Sequence, residues 1–152
     1  MFYIGGQSQG ELYLKVRENG TWADEKELKV NKKANIIVGQ GSYISCTISG
    51  KDSRPPPGDL KFDLYFTQET GKLTVASGGI KGFWVQDDLR IGKDLTGEVS
   101  GRLVAARGPH DTLLVYTDKE GPRVICQQNG AGAEAWTPLG KPATQSVFAL
   151  QY

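Results

Sequence analysis

KGFWVQDDLRIG (81–92) sets a tryptophan inside a strand pattern, places Leu89 five residues after it and closes on a turn. The arrangement recurs twice. NGTWADEKELKV (19–30) carries Trp22 and then Leu28, six residues on, and AEAWTPLGKPA (133–143) carries Trp136 and then Leu139, three residues on. After each turn comes an apolar strand pattern, SYISCTIS (42–49), GRLVAAR (101–107) or QSVFALQY (145–152). The first two are followed by a second strand and a charged hairpin, FDLYFTQETGKL (62–73) and LLVYTDKEGPRV (113–124). The third runs to Tyr152, and its missing strands are supplied by MFYIGG (1–6) and ELYLKV (11–16), which precede Trp22 as the second and third strands of a repeat should. Self-similarity at this period means stacked sheet units. Three repeats are predicted, roughly 35–92, 93–141, and 142–152 together with 1–34.

The composition agrees with many short strands. Among 152 residues there are 20 glycines and 7 prolines, which punctuate regular structure rather than propagate it. Runs such as LKFDLYFTQ and KLTVAS are rich in β-branched and aromatic residues with partial alternation, the pattern of half-buried strands. EKELKVNKKA (25–34) lacks an apolar stripe near period 3.6 and reads as strand and loop. The length fits one domain, 1–152, with a core of its own.

Charge and cysteine content narrow the function classes. Eighteen basic against 17 acidic residues leave a net charge of +1, too weak a field to hold nucleic acid or an acidic membrane face. No stretch approaches the roughly 20 apolar residues of a spanning helix, so no membrane insertion is expected. Cys46 and Cys126 allow at most one bridge, and the opening MFYIGGQSQG lacks the basic start and apolar run of a secretory signal. Reduced cysteines are expected, in a protein that is cytoplasmic or released without a signal peptide. Asn19-Gly20-Thr21 matches a glycosylation sequon but reads as the tight turn that Asn-Gly favours.

Catalytic readings find little support. His110 is the sole histidine, and GPHDT (108–112) reads as a turn between strands; a serine or cysteine nucleophile would need it as base. His110, Cys46 and Cys126 have no metal-ligand spacing. Asp87 and Asp88 are adjacent on a strand and face opposite ways, so they form no glycosidase pair. The glycine-rich IGGQSQG and NGAGAEAW precede no helix pattern and make no phosphate cradle, and Arg54-Pro55-Pro56-Pro57-Gly58 reads as a stiffened loop. The expectation is a protein that is not an enzyme and has no cofactor and no metal.

The two segments 38–73 and 136–152, VGQGSYISCTISGKDSRPPPGDLKFDLYFTQETGKL and WTPLGKPATQSVFALQY, resemble the fucose-binding lectins of the Aleuria aurantia type. Those are six-bladed β-propellers whose repeats combine a strand like LAALQW, a strand like IRVYYQ, a hairpin and a later Trp-containing strand. The resemblance implies a β-propeller-like, all-β fold with three four-stranded blades per chain, completed to six by homodimerisation. A β-trefoil, also three repeats of four strands, is the alternative. In that family a sugar lies between blades, held by an Arg, a Glu and a stacking Trp. By resemblance the tryptophan positions are Trp22, Trp84 and Trp136, whereas the Arg position holds Asp63 or Leu114 and the Glu position Val75, Ile125 or Leu14.

The reading is therefore a non-catalytic carbohydrate-binding, lectin-like protein with repeated shallow sites for glycans or glycoproteins. Its candidate sugar-binding residues are Trp22, Trp84 and Trp136, whose rings can cover the C–H face of a sugar, with Arg17, Gln86, Gln127, Gln128 and Tyr152 as hydroxyl partners. The alternatives are a protein-interaction or structural module on the same scaffold, and tryptophans that only fill space between sheets.

Overall fold

The architecture comes from a computed structural model, which describes residues 1–5, 10–49, 59–92, 94–96, 98–129, 133 and 135–140. The protein is all-β: among the described residues every regular element is a strand. In chain order these are β1 (Phe2–Gly5), β2 (Glu11–Leu14), β3 (Arg17–Glu18), β4 (Thr21–Trp22), β5 (Lys26–Glu27), β6 (Lys29–Val30) and β7 (Ala34–Asn35). Then follow β8 (Ser45–Ser49), β9 (Lys61–Thr67), β10 (Leu73–Gly79), β11 (Val85–Asp88), β12 (Arg90–Ile91) and β13 (Asp94–Leu95). The last four are β14 (Val99–Arg107), β15 (Asp111–Asp118), β16 (Gly121–Gln128) and β17 (Thr137–Pro138). No helix among the described residues is long and apolar enough to cross a membrane.

Three antiparallel sheets organise these strands, and each runs in chain order across its width. The first is β1-β2-β5, the second β8-β9-β10-β11 and the third β14-β15-β16-β17, while β3–β4, β6–β7 and β12–β13 make short ladders of their own. No sheet closes on itself among the described residues. The predicted Asn-Gly turn joins β3 to β4, with φ of 49° at Asn19 and 83° at Gly20, the left-handed pair that a two-residue hairpin needs. The segment 25–34 is strand and turn, as its lack of helical periodicity implies. The strand predicted at 145–152 and the proline loop at 54–58 lie outside the described residues.

Strand alternation builds two cores around the middle sheet. On β9, Leu64 and Phe66 point into a first core with Leu12, Leu14, Leu28, Ile36, Val38, Ala76 and Trp84. Tyr65, between them, points the other way into a second core with Leu73, Leu89, Leu103, Leu114, Tyr116, Ile125 and Trp136. The sheets are thus layered face to face, the second shared by both cores.

Two backbone contacts recur from the first sheet to the second. Leu28 N–H donates to Leu12 O at 2.9 Å and Val38 N–H to Gly10 O at 2.9 Å. At one constant sequence offset, Leu89 N–H donates to Leu73 O and Val99 N–H to Gly71 O. Parallel bridges link Val30 to Trp84 and Ile91 to Trp136, so each of these tryptophans docks against the segment leaving the preceding sheet. Gly78 makes room for the first of them: a Cβ there would overlap the Trp84 ring. The register of the second core differs at one predicted position, since Leu139, aligned by sequence with Leu28 and Leu89, is exposed.

Candidate functional site

The three tryptophans do not share one environment. Trp84 and Trp136 are each 2% exposed, and the Trp84 ring meets Phe2 edge to face at 5.9 Å. Trp136 meets Tyr65 edge to face at 6.0 Å. Neither indole N–H has a hydrogen-bond partner among the described residues. As placed, these two rings pack sheets together and present no face to a ligand.

Trp22 is different, 47% exposed on the β3–β4 hairpin. Its cross-strand partner is Arg17, whose guanidinium lies 5.9 Å from the ring centroid while its Nε–H donates to Gly20 O at 3.1 Å. The turn therefore fixes the arginine and the arginine backs the ring. The constant backbone offset carries Trp22 onto Phe83 rather than Trp84, and Phe83 is 59% exposed with the Lys32 ammonium 4.4 Å from its centroid. Two successive repeats thus present an aromatic face with a cation against it. The third has Ala135 at the residue before its tryptophan. Aligning tryptophan with tryptophan misses this by one residue, and a one-residue slip in a strand exchanges buried and exposed faces. The signal that locates Phe83 is the spacing from Leu28 back to Trp22 against that from Leu89 back to Phe83, which are equal.

The polar candidates are dispersed. Gln86 sits half-buried on β11 opposite Ala76. Gln127 lies on β16 opposite Thr112 with its amide nitrogen buried and without a partner among the described residues. Gln128, exposed, pairs with Asp111 at the end of the third sheet. Among the described residues, Arg17 and Trp22 are the members of the candidate set that pair a ring with a polar side chain. Tyr152 lies outside the described residues. Asp88 accepts hydrogen bonds from Gln68 at 3.0 Å and Thr74 at 3.1 Å, while Asp87 faces solvent on the opposite side.

Sequence reading missed a cleft of about 750 Å³ where the second and third sheets meet, lined by Thr47, Ile48, Arg107, Pro109, His110 and Gln128 among others. The strands on its two sides are tied together where Ala105 N–H donates to Ser45 Oγ at 2.7 Å. Arg107, one of the lining residues, has its Nη1 3.2 Å from Asp63 Oδ2, and Asp63 Oδ1 accepts from Ser77 Oγ at 2.7 Å. Burial, reinforced by Asp63, raises the Tyr65 phenol well above its usual range, with the Thr47 hydroxyl and Arg107 pulling the other way. Desolvation of its thiol and the Asp63 carboxylate push Cys46 up to about 11, although the residue as a whole is exposed. A second cleft, about 580 Å³, lies beside the β15–β16 hairpin, but its Arg123 is already engaged by Asp118 and Glu120.

Compared with known proteins, the chain matches no family model, no curated protein and no solved structure.

Proposed function

We propose that this is a non-catalytic, lectin-like carbohydrate-binding protein with repeated shallow sites on a propeller-like scaffold. The observation that carries the reading is the equivalence of Trp22 with Arg17 and Phe83 with Lys32: two exposed rings, in two of the three repeats, each steadied by a cation. Such a contact is worth about 0.5–1 kcal/mol at an exposed site, enough to hold a ring but not to bury it. With Trp22 47% and Phe83 59% exposed, ring surface is left for the C–H face of a sugar. Individually weak platforms gain from being joined in one molecule.

A propeller accommodates the layering better than a trefoil does. Four-stranded meanders follow one another face to face, their first strands β8 and β14 side by side, and each buried tryptophan bridges to the connection before it. The same repetition supports completion by a second copy. The outer face of the first sheet carries the stacked Tyr3 and Tyr13, with centroids 5.6 Å apart, in the positions that Phe66 and Thr74 hold in the first core. The outer face of the third sheet carries Val104, 56% exposed, beside Val115, which pairs with Val124. These are the two halves of an interface the chain already makes twice, and a homodimer would join them. The resemblance to the fucose-binding lectins bears on this scaffold, and the polar residues around the rings are different ones.

The competing reading is a protein-interaction or structural module, favoured by the burial of Trp84 and Trp136 and by the absence of an aromatic residue at Ala135. Cell agglutination separates the two. The lectin reading expects agglutination that a simple sugar inhibits and that Trp22→Ala weakens. Agglutination that no sugar inhibits, or none from folded dimer, would move the conclusion to the interaction module.

A further inference from the structure

We propose that the open edge of β1 takes residues 145–152 of a second copy of the chain as its fourth strand, so that two copies exchange strands. The proposal rests on the homodimer reading above and adds which segment ties the copies together.

The first sheet has three strands where the second and third have four, and β1 forms its edge among the described residues. The Met1 ammonium donates to Lys15 O at 2.8 Å, and Met1 O accepts from Lys15 N–H at 2.9 Å. Antiparallel ladders alternate bonded and non-bonded pairs, so Tyr3 and Gly5 also turn their backbone groups toward β2. The N–H and C=O of Phe2 and Ile4 therefore point away from β2, and no strand pairs with that side among the described residues. The equivalent residues of the middle sheet, Tyr65 and Thr67, are satisfied. Tyr65 pairs with Ser45 of β8, while Thr67 N–H donates to Ser42 Oγ at 2.8 Å and Thr67 O accepts from Gly39 N–H at 2.7 Å.

A free strand edge is a template for another chain, and charged side chains are a common guard against it. The opposite edge of the first sheet, β5, carries Lys26 and Glu27, and the outer edge of the middle sheet, β11, carries Asp87 and Asp88. β1 reads FYIG and carries no charge, with Ile4 40% exposed. Its chemistry is that of an edge meant to be covered.

The repeat supplies both the covering segment and its register. The offset that carries Leu12 onto Leu73 carries Leu14 onto Val75, so Phe2, opposite Leu14, corresponds to Tyr65, opposite Val75. In the third sheet that place belongs to Val115, flanked by the core residues Leu114 and Tyr116 as Tyr65 is by Leu64 and Phe66. The residue opposite Tyr65 is Ser45, and the one opposite Val115 is Val104. Each is the fourth residue of its strand pattern, SYISCTIS and GRLVAAR. The fourth residue of QSVFALQY is Phe148, which thereby falls opposite Phe2, with Val147 opposite Tyr3.

The direction of the connections identifies the donor copy. From β5 the chain passes through β6 and β7 to β8, and from β11 through β12 and β13 to β14, each time entering the first strand of the next sheet. The chain beyond β17 is accordingly bound for the first strand of a sheet on the outer side of the third. Its own first sheet lies on the far side of the middle one, across the first core. The first sheet of a second copy, seated on the outer face of the third, is the one that the segment meets. Ten residues beyond Pro138 can extend about 33 Å, ample for a sheet that packs about 10 Å away. Reciprocal exchange gives both copies the same contact, as a two-fold dimer requires.

The test is disulfide trapping in the full chain with Cys46→Ser and Cys126→Ser, combining Tyr3→Cys with Val147→Cys. These two form a non-bonded pair, whose Cα separation of about 4.5 Å suits a disulfide. On oxidation the double variant should run as a covalent dimer in a non-reducing gel. Chains carrying one cysteine each should link when refolded together, and neither should link alone. Phe148→Pro, which removes the N–H facing Phe2, should leave the circular dichroism of the parent and weaken its dimerisation in sedimentation by about tenfold or more. A bridge within one chain would assign the edge to the chain's own segment and overturn the proposal. A parent dimer that neither links nor responds to Phe148→Pro would overturn it while leaving the homodimer reading standing, and a parent that sediments as a monomer at every concentration would overturn both.

Discussion

Replacing Trp84 by alanine removes the largest fully buried side chain of the first core, and the structure sets the size of the effect. The ring lies over Gly78, meets Phe2 edge to face and packs among Leu64, Phe66 and Leu12, with the parallel Val30 bridge on its backbone. Truncation of a buried Trp leaves a cavity and typically costs about 3–5 kcal/mol, a large share of the roughly 5–15 kcal/mol that stabilises a domain. The unpartnered indole N–H offsets part of this, since its removal also ends a desolvation penalty, so the lower half of the range applies. For a chain of this length each kcal/mol moves the melting temperature by about 2–4 °C, giving a fall on the order of 6–16 °C. Trp22→Ala, at a half-exposed ring, should change stability by about 1 kcal/mol or less. Urea unfolding followed by circular dichroism measures both. Equal stability of the two variants would refute the assignment of Trp84 to the core and Trp22 to the surface.

Other perturbations reach the same framework from different sides. Gly78→Ala should destabilise the protein by more than 1 kcal/mol in thermal unfolding, because the added methyl needs the space of the Trp84 ring; a neutral substitution would show that the ring can move. Cys46, pushed up to about 11, should react with iodoacetamide at pH 8 on the order of a hundredfold more slowly than a free thiol, and Asp63→Asn should speed it in part; a rate like that of free cysteine would contradict the desolvation of the thiol beside Asp63. For Asp118, burial works against ionisation but Arg123 and the Glu120 backbone N–H outweigh it and lower the pKa. A carboxyl with a depressed folded pKa adds stability that is present above its unfolded value and lost as pH falls toward the folded one. Acid titration of stability should therefore show a loss below about pH 4 that Asp118→Asn lacks, and parallel curves for the two proteins would remove the pair from the account.

The all-β character was legible because β-branched and aromatic runs such as LKFDLYFTQ alternate between two environments, and the middle sheet in fact divides its residues between two cores. Turn chemistry was legible too, at Asn19-Gly20. The repeat was detectable, but its register was set by matching tryptophans, and the chemistry of a strand makes position 83 and position 84 opposites. The buried faces needed the large ring at Trp84, where Gly78 had withdrawn its side chain, whereas the exposed aromatic of that repeat was Phe83. The cleft was not legible as a motif. Thr47, Arg107 and Gln128 come from three separate strands and meet only when two sheets pack. The one trace in the sequence is a charge where an apolar strand has none to spare, Asp63 inside FDLYF, matched by Arg107 closing GRLVAAR.

The central claim is carbohydrate recognition through exposed aromatic platforms, and a glycan array tests it most directly, probed with the parent protein, Trp22→Ala and Phe83→Ala after each is shown to be folded. The account predicts binding to a defined set of glycans by the parent and a weakened signal from each variant, with the same glycans affected. An array blank for folded parent protein, or a signal that neither substitution diminishes, would contradict it.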